Sequence, residues 1–221
     1  MNYDLLICVS KFISNNYSNI PSDKKVILNT PQQSSNVKNK EYVDEFNVFS
    51  ISNLINWKGV NVYLDSYRLL RNKKNIEIKY HVFGTGIELN RYKEKYKSNN
   101  IHIYGYKSDD YIKDFLINKA HLSIVPSIKE EACPHLPILS FSYAIPCIVT
   151  NIGGQSDLIN DYYNGLKVEP ESAESIAIKI DFLIENKDKY IELSKNSKLS
   201  SFKYTFDNYL NKINEVMLLK E

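Results

Sequence analysis

Short apolar runs alternate along this chain with longer segments in which apolar residues recur at helical spacing. The run at 47–52 is followed by a segment at 59–71 that carries Val60 and Leu64. Short runs of this kind predict buried strands, and the longer periodic segments predict helices. Strands that alternate with helices form βαβ units around a parallel sheet. From residue 46 onward, the pattern therefore predicts one α/β domain with a doubly wound parallel sheet.

The predicted elements follow one another along the whole chain, with one interruption. The strands are 4–9, 25–29, 47–52, 76–83, 101–104, 122–125, 147–149 and 166–168. The helices are 10–17, 59–71, 89–97, 109–119, 136–143, a short helix after a Gly153-Gly154 turn, 172–186 and much of 187–219. Ser108 precedes two aspartates and is the expected N-cap of the fourth helix. The interruption, residues 31–45, is polar and aperiodic and predicts a linker.

The composition indicates a folded protein and excludes several classes of function. The 221 residues are 43% hydrophobic and 24% charged, with a formal net charge of +2, which are values of a globular protein. Only Arg68, Arg71 and Arg91 are arginines, so the bidentate contacts typical of nucleic-acid readers are scarce and we expect no nucleic-acid partner. The three cysteines are scattered and odd in number, which argues against a disulfide framework, and they form no Cys-x-x-Cys pair, which argues against a zinc knuckle.

The apolar runs are too short to cross a membrane. The longest, at 136–149, is broken by Pro137 and Pro146 and falls short of the roughly 20 apolar residues that a membrane-spanning helix needs. The first residues also lack the basic start and the apolar core of a signal peptide. We therefore expect a cytoplasmic protein.

Glycine and serine residues follow the ends of several predicted strands. Ser52, Gly84, Gly105, Ser127 and Gly153 all occupy such positions. Because ligands of doubly wound sheets bind at the carboxyl ends of the strands, these residues predict a ligand site at that edge. The alternative is that the glycines only turn each strand into the next helix.

Two motifs near these positions suggest specific chemistry but lack essential members. Gly84-Thr85-Gly86 begins a dinucleotide-binding motif whose third glycine is replaced by Leu89, so a simple turn is favoured. Cys133 and His135 are only two candidate ligands, whereas a closed metal site needs three or four, so we expect no metal site. The sequence also has no Gly-x-Ser-x-Gly elbow and no phosphate-binding lysine loop, which leaves hydrolase and P-loop functions without support.

Lys58 and the pair Glu130 and Glu131 are the most informative charged residues. Lys58 lies at the start of a predicted helix, where free N–H groups and the helix dipole favour phosphate. The two glutamates lie between a strand end and an apolar helix, where a carboxylate can accept hydrogen bonds from sugar or ribose hydroxyls. Each feature also has a simpler interpretation, as a solvated lysine and as a surface carboxylate pair.

Seven short motifs follow one another along the chain. They are Lys58-Gly59-Val60-Asn61, His81-Val82-Phe83-Gly84-Thr85-Gly86, Ile103-Tyr104-Gly105, Val125-Pro126-Ser127 followed by Glu131, Ala144-Ile145-Pro146-Cys147-Ile148-Val149, Ile152-Gly153-Gly154-Gln155-Ser156-Asp157 and Asn164-Gly165-Leu166-Lys167-Val168. Together and in this order, they resemble the C-terminal domain of the family 4 glycosyltransferases, which are retaining GT-B enzymes that use nucleotide-diphospho-sugars. The resemblance runs from about residue 3 to the C-terminus.

The resemblance implies one Rossmann-like half of a GT-B fold. Residues 1–30 are similar to the end of that family's N-terminal domain, residues 31–45 to the crossing between the domains, and residues 46–221 to the donor-binding domain with its closing helices. In that family the N-terminal domain supplies the acceptor side and a catalytic histidine, so these would come from outside this chain.

The resemblance also implies a set of site residues. Lys58 would contact the donor diphosphate and stabilise charge on the leaving group, and Glu131 would hold the donor sugar, so these two are the expected catalytic residues. The backbone around His135 and Leu136 would meet phosphate at the start of a helix. The expected nucleotide-sugar site consists of Asn53, Lys58, Gly84, Gly86, Gly105, Tyr106, Glu131, His135 and Leu136. No metal and no cofactor besides the donor substrate is implied.

The chain departs from the family pattern at three places. Leu139 stands where the family has a glutamate that grips the ribose. Asn53 stands where it has an arginine, and Ser52 replaces the glycine before it. Ala132-Cys133-Pro134 replaces a Gly-Phe-Gly stretch and removes one backbone donor. Losing the arginine or the ribose carboxylate would each weaken donor binding by about 1–3 kcal/mol.

Three hypotheses about function follow. The first is the donor-binding half of an enzyme that moves a hexosyl group from a nucleotide-diphospho-sugar to a glycan or lipid-linked acceptor, with a separate chain as one source of the N-terminal domain. The second is a degenerate, non-catalytic subunit that pairs with an active transferase. The third is a stand-alone nucleotide-binding domain. A lipid-linked acceptor would place the protein at the inner face of the membrane rather than free in the cytoplasm.

Overall fold

The computed structural model describes residues 5–41, 45–71 and 76–218, in which strands and helices alternate as predicted. The strands are β1 (Leu6–Cys8), β2 (Lys25–Ile27), β3 (Glu45–Ile51), β4 (Glu77–Phe83), β5 (Ile101–Gly105), β6 (Leu122–Val125), β7 (Cys147–Thr150) and β8 (Gly165–Val168). The α-helices are α1 (Lys11–Asn16), α2 (Val60–Leu70), α3 (Leu89–Lys95), α4 (Asp109–Asn118), α5 (His135–Ser142), α6 (Gly153–Leu158), α7 (Ala173–Glu185), α8 (Lys187–Ser201) and α9 (Phe206–Leu218). The first predicted strand, the linker and the last predicted helix each extend into residues outside the described ranges.

The strands from β3 to β8 form one parallel sheet in the spatial order β5-β4-β3-β6-β7-β8. The chain moves outward from β3 to β5, crosses back to β6 beside β3, and then moves outward in the other direction. The predicted doubly wound sheet is thereby confirmed. The strand order reverses between β3 and β6, and the connections at such a reversal leave a crevice at the carboxyl ends of the strands.

Helices cover both faces of this sheet because successive residues of a strand point to opposite sides. On one face, Phe46 and Val48 of β3 belong to an apolar cluster with residues of α2, α7 and α8. On the other face, Phe49 belongs to a second cluster with Phe115 of α4 and Phe141 of α5. The burial of both faces explains why the central strands are almost continuously apolar in the sequence.

A separate two-stranded parallel sheet, β1 and β2, precedes the main sheet. It is joined to the main domain through α1, which packs against α6, and the Phe12 N–H donates to the Asp157 carboxylate (2.6 Å). The side chains of Ile7 and Ile27 are 52% and 37% exposed. In the strand register these two side chains lie on opposite faces of the small sheet, so among the residues that the structure describes each face is left partly uncovered.

Residues 31–41, the described part of the predicted linker, contain no helix or strand but lie against the main domain. The Gln32 N–H donates to the Tyr204 carbonyl (2.7 Å), and the Lys40 N–H donates to the Ser194 hydroxyl (2.8 Å). The Lys40 Nζ donates to the Ile117 carbonyl (2.8 Å) near the end of α4, and burial lowers the pKa of Lys40 to about 8. The role of this segment as a crossing between two domains stays a prediction.

Most predicted boundaries agree with the structure to within two residues, and Ser108 is confirmed as the N-cap of α4. Two predictions differ by more than this. The predicted helix at 187–219 is divided into α8 and α9 by a 3-10 turn at Phe202–Tyr204. This break allows the buried Tyr204 ring to pack near Phe141, with 6.4 Å between the ring centroids. The predicted Gly153-Gly154 turn is the first turn of α6, since the chain hydrogen bonds as a helix from there onward.

Two buried histidines, His81 and His121, belong to a hydrogen-bonded network around Asn47 of β3. The His81 Nε2 donates to the Asn47 Oδ1 (2.7 Å), and the His81 Nδ1 accepts from the Tyr104 hydroxyl (3.1 Å). The Asn47 N–H donates to the His121 Nδ1 (3.0 Å). Burial lowers the pKa of His81 to about 3, with the charge of His102 as the next cause, and burial also lowers the pKa of His121 to about 4. Both rings therefore act as neutral hydrogen-bonding groups.

Acidification should destabilise this fold through His81 and His121. A histidine in the unfolded chain titrates near pH 6.5, so between that pH and about pH 4 the unfolded state binds protons that the folded state does not. Stability is therefore greatest above pH 6.5 and falls as the pH is lowered. We expect each ring to lower the free energy of unfolding by about 1 kcal/mol between pH 7 and pH 5.5, measurable by urea denaturation at the two pH values.

The control is the double variant His81→Gln, His121→Gln. It should be less stable than the wild type at pH 7, because it disturbs a buried network, but its stability should change by about 2 kcal/mol less between the two pH values. An unaltered pH dependence in the double variant would show that these rings do not titrate as their burial implies.

Candidate functional site

A small cavity lies where the strand order reverses, at the carboxyl ends of β3 and β6. Its volume is about 130 Å³. It is lined by residues from the end of β3, from the turn before α2, from the loop after β6 and from the start of α5. These residues are Ser50, Ile51, Ser52, Lys58, Ile124, Val125, Pro126, Ser127, Glu131, Pro134, His135 and Leu136.

Lys58 and Glu131, which the sequence singled out separately, form an ion pair in the wall of this cavity. Their side chains are only 18% and 10% exposed, so solvent screens their interaction weakly. The Lys58 Nζ also lies 4.6 Å from the centre of the Trp57 ring, within the range of a cation–π contact. The Glu131 carboxylate accepts a second hydrogen bond from the Ser127 hydroxyl. Each member of the pair therefore has a further contact, Lys58 with Trp57 and Glu131 with Ser127.

Gly59 allows Lys58 to reach this position. Lys58 ends a 3-10 turn at Asn56–Lys58, and Gly59 follows with φ of +66°, a left-handed conformation that favours glycine. A Cβ atom on Gly59 would lie 1.9 Å from the Pro126 carbonyl oxygen. The Ile128 N–H donates to the Trp57 carbonyl (2.9 Å). The turn before α2 and the loop after β6 therefore meet backbone to backbone.

The loop that carries Glu131 rests on the start of α6. The Gly154 N–H donates to the Glu131 carbonyl (2.7 Å), and a Cβ atom on Gly154 would lie 1.9 Å from the Ala132 carbonyl oxygen. The Glu131 N–H in turn donates to the Gln155 Oε1 (3.0 Å). The Gly-Gly-Gln run thus supports the loop, a role that its turn prediction did not include.

The first turn of α5 points its N-terminal end at the cavity. Pro134 occupies the N-cap and has no side-chain group that could accept a hydrogen bond from the helix, and Pro137 has no N–H. The N–H groups of His135 and Leu136 lie at the positive end of the helix dipole, where an anion is favoured. The His135 Nε2 is within 2.8 Å of the Gln32 Oε1, which ties this turn to residues 31–41.

The other predicted site residues lie beside the cavity rather than in its lining. Gly84 and Gly86 pack against the backbone of residues 52–54, where a Cβ atom would lie 1.9 Å from the Ser52 carbonyl and 2.3 Å from the Leu54 carbonyl, respectively. Asn53 is exposed. Gly105 ends β5 with φ of +77°, and Tyr106 follows it with 77% of its side chain exposed. The structure therefore places these residues at the rim of the same edge of the sheet.

Two polar residues that the sequence did not single out border the site. Ser50 is buried in the cavity lining, and within the described residues its hydroxyl has no hydrogen-bond partner. Gln155 is completely buried against the Glu131 loop. Ser50 could have been identified as a site residue from the sequence, because it lies near the end of a predicted strand. No neighbouring sequence feature distinguishes Gln155 from an exposed helix residue.

The arrangement combines a cation, a carboxylate and the N–H groups of a helix start around one partly open cavity. Such a set can hold an anionic group at Lys58 and the start of α5, and can accept hydrogen bonds from hydroxyl groups at Glu131. Within the described residues, no group of three or more His, Cys, Asp or Glu side chains is placed to hold a metal ion. None of the described helices is long and apolar enough to span a bilayer.

Comparison with known proteins identifies similar sequences over most of the chain. Residues 31–200 match the family described as "Glycosyl transferases group 1". An uncharacterized glycosyltransferase of Methanocaldococcus jannaschii, MJ1178, is 26% identical over 219 residues, which cover 97% of this chain and 59% of that protein. An uncharacterized glycosyltransferase of Haemophilus influenzae is 24% identical over 169 residues, which cover 74% of this chain and 46% of that protein. The chain thus spans about half to three fifths of the length of these relatives.

Solved structures of similar fold are also longer than this chain, which covers 62% of each of the two described here. A glycosyltransferase from Rickettsia africae superposes with a TM-score of 0.79 at 24% identity, over 96% of this chain and 62% of that one. The Anabaena protein Alr3699/HepE, solved in complex with UDP and glucose, superposes with a TM-score of 0.79 at 17% identity, over 97% of this chain and 62% of that one. These likenesses confirm the α/β fold of one part of a GT-B structure.

Replacing Gly59 by alanine should destabilise the protein much more than the same change at Gly105. Both glycines have positive φ, so each alanine adds left-handed strain of about 1–2 kcal/mol. Of these two positions, only Gly59 would bring the new methyl group into overlap with a backbone oxygen, whereas at Gly105 it would lie 3.7 Å from a Leu89 methyl carbon, an ordinary contact distance. We expect a loss of about 3 kcal/mol or more for Gly59→Ala, measured by urea denaturation. Equal losses of stability at the two positions would contradict the close approach between Gly59 and the Pro126 carbonyl.

Proposed function

This chain belongs to the family of group 1 glycosyl transferases, and we propose that it forms the donor-binding part of a retaining, family 4-like GT-B enzyme. The enzyme would transfer a hexosyl group from a nucleotide-diphospho-sugar to a glycan or lipid-linked acceptor. The observation that carries the proposal is the Lys58–Glu131 pair in the wall of a cavity at the start of α5. In the proposed enzyme, this pair would set a group for the diphosphate beside a group for the sugar.

The diphosphate would lie between Lys58 and the first turn of α5. The Lys58 ammonium and the N–H groups of His135 and Leu136 approach the cavity from different elements, and each favours negative charge. As the bond between the sugar and the diphosphate breaks, negative charge grows on the leaving phosphate. Lys58 would stabilise that charge without a metal ion, in a position where solvent screens it weakly.

The sugar would be held by Glu131. Its carboxylate accepts from Lys58 and Ser127 in this structure, and a carboxylate has further lone pairs for two hydroxyl groups of a hexose. A diphosphate that pairs with Lys58 would free one Glu131 carboxylate oxygen to accept from the sugar. Donor binding would thus replace the Lys58–Glu131 ion pair by two contacts, one between Lys58 and the diphosphate and one between Glu131 and the sugar. The Ser50 hydroxyl, which has no hydrogen-bond partner among the described residues, adds a further group that a bound donor could reach.

The nucleoside would lie along the rim formed by Asn53, Gly84, Gly86, Gly105 and Tyr106. These residues lie at the same edge of the sheet as the cavity, where Asn53 and Tyr106 are exposed, Gly84 and Gly86 are half-buried and Gly105 is buried. A neighbouring structure, Anabaena Alr3699/HepE, was solved in complex with UDP and glucose, which supports a nucleotide-sugar donor for this chain as well.

The acceptor side of the proposed enzyme would come from a second Rossmann-like domain, in the same polypeptide or in a separate chain. Ile7 and Ile27 of the small β1–β2 sheet are exposed, although parallel sheets are generally buried on both faces. We propose that residues 1–30 complete that second domain, that residues 31–45 cross between the domains, and that residues 46–221 bind the donor. The relatives, which are longer than this chain, support this division.

A non-catalytic subunit is the second candidate function. Leu139, which replaces the ribose-binding glutamate of the resembled family, packs against the apolar cluster around Phe141. Asn53 replaces the arginine and is exposed. Two charged contacts to the donor are thus replaced by side chains that cannot make them, which favours a domain that stabilises an active partner without binding the donor itself.

Nucleotide binding separates the two candidates. If the donor site functions, UDP or GDP at millimolar concentration should shift the NMR signals of Lys58, Glu131 and the first turn of α5. Lys58→Ala should weaken binding at least about tenfold, because it removes a charged hydrogen bond. The matched control is Lys79→Ala, which removes another lysine–glutamate ion pair, with Glu45 at the opposite end of the sheet, and should leave the affinity unchanged.

Two results would count against the donor-binding proposal. An absence of shifts with either nucleotide would favour the non-catalytic subunit. Equal losses of affinity in the Lys58 and Lys79 variants would show that the nucleotide responds to net charge and not to the cavity.

A further inference from the structure

The side chain of Gln155 is completely buried against the loop that carries Glu131. Its Oε1 accepts from the Glu131 N–H (3.0 Å). Its Nε2 donates to the Lys129 carbonyl (3.2 Å) and to the Thr150 hydroxyl (3.3 Å). Both ends of the amide are therefore used, and two of the three partners belong to the Glu131 loop.

The third partner, Thr150, extends this network to the start of the loop. The Thr150 hydroxyl donates to the Ser127 carbonyl (2.7 Å), and the Ser127 hydroxyl donates to the Glu131 carboxylate. Gln155 thus fixes residue 131 directly and residue 127 through Thr150. The loop has no strand or helix of its own between these points, so contacts of this kind set its conformation.

The chemistry of the contacts requires a neutral amide. The loop and Thr150 present one N–H and two oxygen acceptors to Gln155, and a carboxamide offers one acceptor and two N–H donors. A glutamate would place its second oxygen against the Lys129 carbonyl. An apolar side chain of the same length would leave all three buried groups unpaired, which is unfavourable.

A second buried amide, Asn164, provides a comparison within the same chain. The Asn164 Nδ2 donates to the Leu158 carbonyl (3.3 Å) and the Ser200 hydroxyl (3.1 Å), and its Oδ1 accepts from the Asn160 N–H (2.9 Å). This network joins the end of α6 to α8 and does not include the Glu131 loop. The two amides have similar burial and hydrogen bonding, but only Gln155 contacts the candidate site.

We propose that Gln155 is a positioning residue for Glu131 and thereby determines how strongly the site prefers a sugar-bearing nucleotide over the free nucleoside diphosphate. The proposal rests on the donor-binding function proposed above. Lys58 reaches the cavity from the turn before α2, and the His135 and Leu136 N–H groups are held in the first turn of α5, so a local displacement of residue 131 should weaken contacts to the sugar more than those to the diphosphate.

The test compares two affinities for each of four proteins by titration calorimetry. The proteins are the wild type, Gln155→Met, Thr150→Val and Asn164→Leu, all as the full chain. The ligands are UDP or GDP, and the hexose derivative that the wild type binds most tightly among UDP-glucose, UDP-galactose and GDP-mannose. The measured quantity is the ratio of the Kd of the nucleotide sugar to the Kd of the matching nucleoside diphosphate.

Gln155→Met should raise this ratio about tenfold, while the Kd of the nucleoside diphosphate changes less than about twofold. Thr150→Val keeps the shape of the side chain and removes only its hydroxyl, so it should raise the ratio by a smaller factor and gives an answer even if Gln155→Met does not fold. Asn164→Leu should lower thermal stability as Gln155→Met does, but should leave the ratio unchanged. Hydrogen exchange of the Glu131 amide should be at least about tenfold faster in Gln155→Met alone.

The outcomes separate this proposal from the one on which it rests. If the wild type binds none of the nucleotides, the proposed donor binding fails, and positioning by Gln155 fails with it. If the wild type binds and neither Gln155→Met nor Thr150→Val changes the ratio, donor binding stands and positioning is overturned. A ratio that rises equally in Asn164→Leu would show a general effect of stability, which would also overturn it.

Discussion

The turn before α2 and the loop after β6 meet at Gly59, whose Cα approaches the Pro126 carbonyl too closely for any side chain. This contact bridges the place where the strand order reverses between β3 and β6. It brings Lys58 from one winding of the sheet to Glu131 from the other, although 73 residues separate them along the chain. The cavity, its ion pair and the direction of α5 toward it all depend on this close approach.

The burial of the Lys58–Glu131 pair limits how much the pair can stabilise the fold, which agrees with the binding role proposed above. Both side chains are largely removed from water, and the loss of hydration offsets much of the attraction between two buried charges. Around the pair, the Ser127 hydroxyl donates to the Glu131 carboxylate, the Gly154 N–H donates to the Glu131 carbonyl, and the Glu131 N–H donates to the Gln155 side chain. These hydrogen bonds hold the loop in one conformation. A site prepared in this way can exchange internal contacts for contacts with a ligand at little cost in reorganisation.

Much of the fold could be predicted because the sequence patterns that indicate it involve only neighbouring residues. The alternation of apolar runs and helical periods predicted the parallel sheet and its doubly wound class, and Ser108 was correctly identified as an N-cap. The break at Phe202–Tyr204 could not be predicted, since it depends on the packing of Tyr204 near Phe141, a contact between distant segments. Family membership is confirmed over residues 31–200, whereas the donor site residues, the retaining chemistry and the division into domains stay predictions.

The sequence by itself determined the types of the elements and the buried strands, because propensity and periodicity act over a few neighbouring residues. It also identified Lys58 and Glu131 as candidate site residues, each from its own segment. Tertiary structure alone decided that these two residues share one cavity, that Asn53 and Tyr106 lie at its rim, and that Gln155 supports the Glu131 loop. The physical reason is that a parallel sheet joins distant segments at one edge, and which side chains meet there depends on strand order and close backbone packing. Neither of these is encoded in any short stretch of sequence.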